Sequence, residues 1–281
     1  MADVSVRTAR SGDLAAISAI ATANGQRDEW SGRNPAYVEH LMRHGRVAVA
    51  ETGDRVAGFG AAQQLGEVRM LCDLFVDPDV HGSGIGRALL TELWGDARKR
   101  MTFSSLHAHA LPLYTSFGID AWWPLLYLHG DSRTLPMPEG WTRTAGTASH
   151  AAELEREWTG TDRPTDYRAW AARPNGGALL VARDGLMMAA GAAAGPAGDY
   201  GLMHLATSPA ADDQAAATAV IAALAGMAPP GTTTNICLPG PHPAVRALLA
   251  AGWRVDEFDL FMGTEPDLID PRRAVPSAAQ A

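Results

Sequence analysis

Between Leu74 and Leu90 the chain reads Leu-Phe-Val-Asp-Pro-Asp-Val-His-Gly-Ser-Gly-Ile-Gly-Arg-Ala-Leu-Leu, a β-type run that passes through three alternate glycines straight into an apolar helix. Few architectures accommodate such a segment. Glycine admits positive φ and lets the main chain approach a ligand closely, and the first turn of a helix carries N–H groups without intrahelical partners. With the helix dipole, those donors favour an anion such as a diphosphate at Gly82, Ser83, Gly84, Ile85 and Gly86. Two familiar phosphate loops are excluded by spacing. No Gly-Lys-Ser/Thr follows, and G-x-G-x-G differs from the dinucleotide fingerprint, whose strands are in any case parallel. The bland reading of the glycines is a flexible strand-to-helix connection.

The surrounding pattern is mixed. Val4–Arg7 alternates like a strand, and Ser11-Gly12-Asp13 caps an apolar run through Leu14, Ile17, Ile20 and Ala21. Arg46–Glu51 and Val56–Ala62 are β-type runs joined by a turn at Thr52–Arg55, and Val68–Val76 continues the antiparallel meander. A helix is expected over Arg87–Arg100, a strand over Phe103–Ala108, a short helix around Leu111–Phe117 and a strand over Ala121–Leu128. The second half repeats this order. Gly58 and Gly191 are 133 residues apart, and Gly118 and Gly252, each closing a similar helical segment, are 134 apart. The expected class is therefore α/β (α+β), with two tandem folds, each a mixed, mostly antiparallel sheet flanked by helices. Domains are expected at 1–132 and 141–264, joined by a linker at 133–140 containing Pro136 and Pro138. A tail at 265–281, with Pro266, Pro271 and Pro276, is expected to be mobile.

Composition narrows the partners. The 281 residues are 47% hydrophobic and 19% charged, a globular balance, and the net charge of −8 argues against nucleic acid or a polybasic membrane anchor. Cys72 and Cys237 are too few for a disulfide framework and make no C-x-x-C pair. No apolar h-region opens the chain and the longest apolar stretch, Ala121–Leu128, is too short for a bilayer, so a cytoplasmic location is expected.

Val76-Asp77-Pro78 followed by His81-Gly82-Ser83-Gly84-Ile85-Gly86 resembles the signature of the GNAT superfamily, the acyl-CoA-dependent N-acyltransferases: Arg/Gln-x-x-Gly-x-Gly/Ala after a strand ending in Val-x-Pro. His81 stands where that family usually has Arg or Gln. Leu111–Ile119 resembles the family's later segment, in which a Tyr four residues before Gly, here Tyr114 and Gly118, lies beside the thioester sulfur. The resemblance covers residues 1–130. It implies acetyl-CoA as donor, with the main chain of Leu74, Phe75 and Val76 pairing with pantetheine as an added strand would, and the segment from His81 through Gly82, Ser83, Gly84, Ile85 and Gly86 to Arg87 holding the diphosphate.

Direct acyl transfer needs a group to deprotonate the attacking amine and a donor for the departing thiolate. Tyr114 is the candidate acid, although a helix tyrosine packed in a core fits the same position. Asp73 is the first candidate base and Glu29 the next; Asp73 also suits a structural hydrogen bond on a strand face. Trp30 and Trp123, with Trp122, are candidates to line the acceptor pocket, in competition with simple core packing. His107 and His109 share a strand face at i, i+2 but show no third ligand, so no metal is expected; Cys72 lacks companions for a covalent role.

In the second half all three glycines of the loop are lost, Asp212 and Asp213 stand where the diphosphate would lie, and Leu248 replaces the tyrosine. That half is expected to bind no CoA and to complete the acceptor pocket. The expected function is acetyl transfer to a primary amine on a small molecule without a covalent enzyme intermediate. A peptide N-acetyltransferase and a non-catalytic acyl-CoA-binding module are the alternatives, and homodimerisation is left open.

Overall fold

The structure, a computed structural model, describes residues 4–26, 33–196, 198, 200–228 and 232–279. Two compact units are present: Met1–Ala121 with Met262–Leu268, and Trp122–Phe261 with Ile269–Ala279.

In the first unit, β1 (Val4–Thr8), α1 (Leu14–Ala23), α2 (Pro35–His44), β2 (Arg46–Thr52), β3 (Arg55–Leu65), β4 (Val68–Val76), α3 (Ile85–Trp94), β5 (Lys99–Ser104) and α4 (Ala110–Thr115) follow in order. The strands lie β1-β2-β3-β4-β5. All pairs are antiparallel except β4–β5. The β2–β3 hairpin turns at Gly53, whose φ of 61° suits a residue without Cβ. Asn34 caps α2, accepting from Ala36 and Tyr37 N–H, with Pro35 in the first turn. Gly58 and Gly60 leave room for α3 on β3: a Cβ at Gly58 would lie 2.8 Å from Ile85 Cγ2, and one at Gly60 would lie 2.6 Å from Leu93 Cδ1. That close approach fixes where α3 begins.

The parallel ladder between β4 and β5 runs only from Val68–Lys99 to Leu71–Thr102. At its end the Thr102 hydroxyl donates to Leu71 O at 3.0 Å. On the β3 side, Leu71 pairs with Ala62 and Asp73 with Ala61, so Cys72 is the extra residue of a β-bulge. Such a bulge bends and twists its strand, and Asp73–Val76 then run beside β3 with no strand paired to their opposite edge among the described residues.

The second unit contains β6 (Asp120–Gly130) from Trp122 onward, then β7 (Trp141–Gly146), α5 (Ala148–Thr159), α6 (Pro164–Ala171), β8 (Gly177–Arg183), β9 (Leu186–Ala194), β10 (Tyr200–Thr207), α7 (Asp213–Leu224), β11 (Thr234–Pro239), α8 (Ala244–Ala250) and β12 (Arg254–Gly263) up to Phe261. Its strand order is β12-β6-β11-β10-β9-β8-β7. The core includes Leu128, Leu202, Leu205, Val220, Leu224, Ile236, Leu248 and Trp253. Its ladder reproduces the first: β10–β11 is parallel and ends at Leu202–Ile236, and Met203 is the bulge residue between Leu202–Ala193 and His204–Ala192. Gly191 faces Leu205 as Gly60 faces Leu74, an offset of 131 residues. Gly60 is thus the ladder counterpart of Gly191, in place of the Gly58 that spacing along the sequence suggests.

Other expectations change as well. The units divide at Ala121/Trp122, ahead of the proline-containing segment 133–140, because β6 pairs with β11 from Leu125–Pro239 to Gly130–Thr234. Part of the tail is packed: Val275 is fully buried and Ser277 is 3% exposed. β5 begins at Lys99 and ends at Ser104, since α3 stops at Gly95, which has φ 49°. His107 and His109 consequently lie on a turn and not on a strand face. Among the described residues no helix is long and apolar enough to cross a membrane.

Candidate active site

At the end of β4, Asp77 accepts from Asp79 N–H at 3.0 Å and pairs with Arg55 at 2.5 Å, fixing the turn over Pro78–Val80. Val76 O accepts from His81 Nε2 at 3.0 Å and from Asn24 Nδ2 at 3.1 Å, so both the loop and α1 are tied to the strand end. Asn24 had no signal in the sequence, because its bond spans 52 residues. Ser83 Oγ donates to Val80 O at 2.6 Å. Gly82 and Gly84 have φ of 79° and 90°, and Gly84 caps α3. Any side chain there would be strained. The first helical bond is Ala88 N–H to Gly84 O at 3.0 Å, which leaves the N–H groups of Ile85, Gly86 and Arg87 as the donors of the first turn.

The helix carrying Tyr114 is docked on that turn. A Cβ at Gly86 would lie 3.1 Å from Leu113 Cδ2, so α4 approaches α3 through a glycine. Arg87 donates to Ser116 Oγ at 2.9 Å and lies 5.3 Å above the Phe117 ring. Its guanidinium thus ties the first turn of α3 to the segment just after α4. Tyr114 is 6% exposed, its ring centroid 6.2 Å from that of Trp94.

Asp73 follows the bulge and lies on the face of β4 that meets α2, where the Tyr37 hydroxyl hydrogen-bonds to it. Its carboxyl is fully enclosed, and burial pushes its pKa up to about 7 against the smaller opposing effect of Tyr37. Oδ2 is buried with no hydrogen-bond partner among the described residues. A buried orphan oxygen on an acid that titrates near neutrality is poised to meet a donor from a ligand.

The remaining candidates are dispersed. Glu29 and Trp30 lie outside the described residues. Trp123 belongs to the second unit, buried and stacked on Phe261 at 4.3 Å between centroids. The rings of His81, His107 and His109 gather at 5.4–5.7 Å between centroids, yet among the described residues no His/Cys/Asp/Glu group is arranged to hold a metal. Cys72 Sγ lies 3.9 Å from Met70 O. Burial pushes the Cys237 thiol up to about 12, the opposite of a reactive cysteine.

The second unit fills the equivalent positions differently. His204 takes the ladder place of Asp73, and its Nε2 lies 3.1 Å from Glu155 Oε2, while Arg163 Nε lies 3.1 Å from Glu155 Oε1. His204 also stacks on Trp170 at 5.3 Å. Although burial opposes it, His204 and Arg163 hold the Glu155 carboxyl down at about 2. Asp212 caps α7, accepting from Ala215 N–H at 2.8 Å, and Asp213 begins the helix.

Residues 43–118 match the family described as Acetyltransferase (GNAT) domain. No curated protein sequence is significantly similar to the chain. Among solved structures, a presumed acetyltransferase from Pyrococcus horikoshii superposes with a TM-score of 0.73 at 16% identity, covering 99% of this chain and 96% of its own. A tandem GNAT protein from the clavulanic acid biosynthesis pathway gives 0.61 at 14% identity, with 95% and 100% covered. A GCN5-related glucosamine N-acetyltransferase region of a fungal multi-domain β-N-acetylglucosaminidase gives 0.64 at 13% identity, with 94% of this chain and 38% of that one covered. With its strand–glycine–helix segment, split β4–β5 ladder and match over residues 43–118, the chain has the GNAT N-acetyltransferase fold and carries a GNAT acetyltransferase domain, a scaffold for acyl transfer.

Proposed function

We propose that the chain transfers an acetyl group from acetyl-CoA to a primary amine on a small molecule, by direct attack in the first unit. The observation that carries this reading is Asp73, a buried carboxyl with an orphan oxygen and a pKa near 7, just after the point where β4 leaves β5. The donor fits the residues present: at the edge of β4, where Val76 O already accepts from His81 and Asn24, the Leu74 main chain suits pairing with an extended amide chain, and the N–H groups of Ile85, Gly86 and Arg87 suit its diphosphate. His81 fastens the loop, and the Leu74 and Phe75 side chains flank the open edge.

In its ionised form Asp73 takes the proton from the acceptor ammonium, directly or through water. The neutral amine then forms the new C–N bond as the C–S bond of the thioester breaks, Tyr114 gives its proton to the departing thiolate, and the second proton of the amine nitrogen passes to the tyrosinate, directly or through water, restoring Tyr114 while Asp73 releases its own proton to solvent. The products are an amide and free CoA, with no covalent enzyme intermediate. A small amine is favoured by the likeness to the glucosamine N-acetyltransferase region.

The reading is tested by calorimetric titration with acetyl-CoA together with thiol release across a panel of amines. The wild type is expected to bind donor and turn over. Ser83→Glu, which adds a negative charge on an exposed loop residue without touching the glycines, is expected to weaken donor binding at least about tenfold, near 1.4 kcal/mol. Tyr114→Phe keeps the packing against Trp94 and is expected to bind donor normally while kcat falls about a hundredfold or more. Absence of donor binding by the wild type would refute the proposal.

A further inference from the structure

In the second unit the edge of β10 beyond its bulge is occupied. Leu205 N–H donates to Val275 O at 3.0 Å and Val275 N–H donates back to Leu205 O at 2.9 Å, an antiparallel bridge made by the C-terminal segment. The Thr207 hydroxyl donates to Arg273 O at 2.6 Å, and Arg273 Nη1 donates to Pro209 O at 3.1 Å. Arg272 pairs through Nε, at 3.0 Å, and Nη2 with Asp213 at the start of α7. Val275 is fully buried, Ser277 is 3% exposed and the Ala278 main chain hydrogen-bonds to Cys237.

Two of these contacts have counterpart positions in the first unit, and at the first of them, Leu74, no β-bridge is formed on the open side among the described residues. Leu205 holds the ladder position of Leu74, on a strand that parts from its parallel neighbour at the same offset. Asp212 caps α7 where Gly84 caps α3. The charge preference is inverted. At α3 the helix entry presents bare N–H groups; at α7 the Asp212 carboxylate takes the Ala215 N–H and Asp213 adds a second negative charge, so the entry selects a cation. Arg272 of the tail supplies it, while Arg273 pairs with Asp270 at 3.5 Å.

We propose that the second unit is a peptide-binding module whose ligand is the chain's own segment Asp270–Ala279, joined in cis to the edge of β10 by a β-bridge at Val275, with Arg272 drawn to the acidic entry of α7. Main-chain pairing gives the segment its register, the pocket for Val275 and the Asp213–Arg272 pair give it specificity, and tethering keeps its effective concentration high. The proposal is independent of acyl transfer.

The test is trypsin cleavage after Arg272 and Arg273 in the full chain, against a synthetic peptide of residues 269–279. The folded chain is expected to be cut at least about tenfold more slowly than the peptide. Val275→Pro, which removes the N–H given to Leu205, is expected to abolish that protection with far-UV circular dichroism unchanged. As a check that does not depend on tolerating proline, Asp213→Arg is expected to speed cleavage and the Asp213→Arg, Arg272→Asp pair to restore protection at Arg273. Calorimetry of Val275→Pro with acetyl-CoA is expected to add no second site. Cleavage of the wild type at the peptide rate, or failure of the charge exchange to restore protection, would overturn the proposal. A second acetyl-CoA site in Val275→Pro would show that the segment shields a donor cleft and is not the ligand of a peptide site.

Discussion

An acid enclosed as completely as Asp73 can hold charge only at a cost to folding. Its pKa is raised from 3.8 to about 7, so between those values the folded chain binds a proton that the unfolded chain has released. Stability conferred by that proton is therefore lost as pH rises through the window, on the order of 4 kcal/mol once Asp73 is fully ionised. Asp73→Asn is expected to flatten this dependence, leaving Tm nearly constant between pH 5 and 8 where the wild type declines; scanning calorimetry reads it. On the mechanism proposed above the same ionisation runs the other way, since the proposed base works when deprotonated. kcat/KM is expected to rise about tenfold per pH unit below 7 and level off above, with that limb absent in Asp73→Asn. Asp73 was legible in the sequence as an acid on the strand before the glycine loop. Its burial and its bond to Tyr37 were not, because they come from a helix 36 residues away whose packing no local pattern reports.

For the elements, the informative contrast is between features set by neighbours in sequence and features set across the sheet. Val68–Val76 as a strand and the glycine entry to α3 were legible because β-branched residues, Asp77-Pro78 and the positive φ at Gly82 and Gly84 act locally. The split between β4 and β5 was not, since a bulge at Cys72 depends on which β3 residues it opposes. The burial of the proline-containing tail was hidden for a related reason: a single bridge at Val275 leaves no run of alternating residues to read. Packing of α3 on β3 offers a direct test. Gly60→Ala places a methyl 2.6 Å from Leu93 Cδ1 and 3.1 Å from Asp73 O. A loss of about 1–3 kcal/mol in urea unfolding is expected, with weaker donor binding as α3 shifts, whereas Gly66→Ala, at positive φ but with open space around it, is expected to leave donor binding unchanged.

Considered as a whole molecule, the chain is not two beads in series. The first unit takes Met262–Leu268 from the far end of the sequence, where Thr264 N–H donates to Arg100 O at 3.0 Å on β5, and β6 joins the second unit from Trp122 onward. A fragment ending at residue 132 is expected to lack cooperative thermal unfolding by circular dichroism, because it carries β6 without β11 and leaves the end of β5 unpaired. The order of synthesis then matters. Residues that finish the first unit emerge from the ribosome after nearly all of the second has been made, so the glycine loop can form early while its unit waits for the last part of its chain. The first unit is thus completed by residues made after most of the second, and the order of synthesis by itself delays its completion until Met262–Leu268 have emerged.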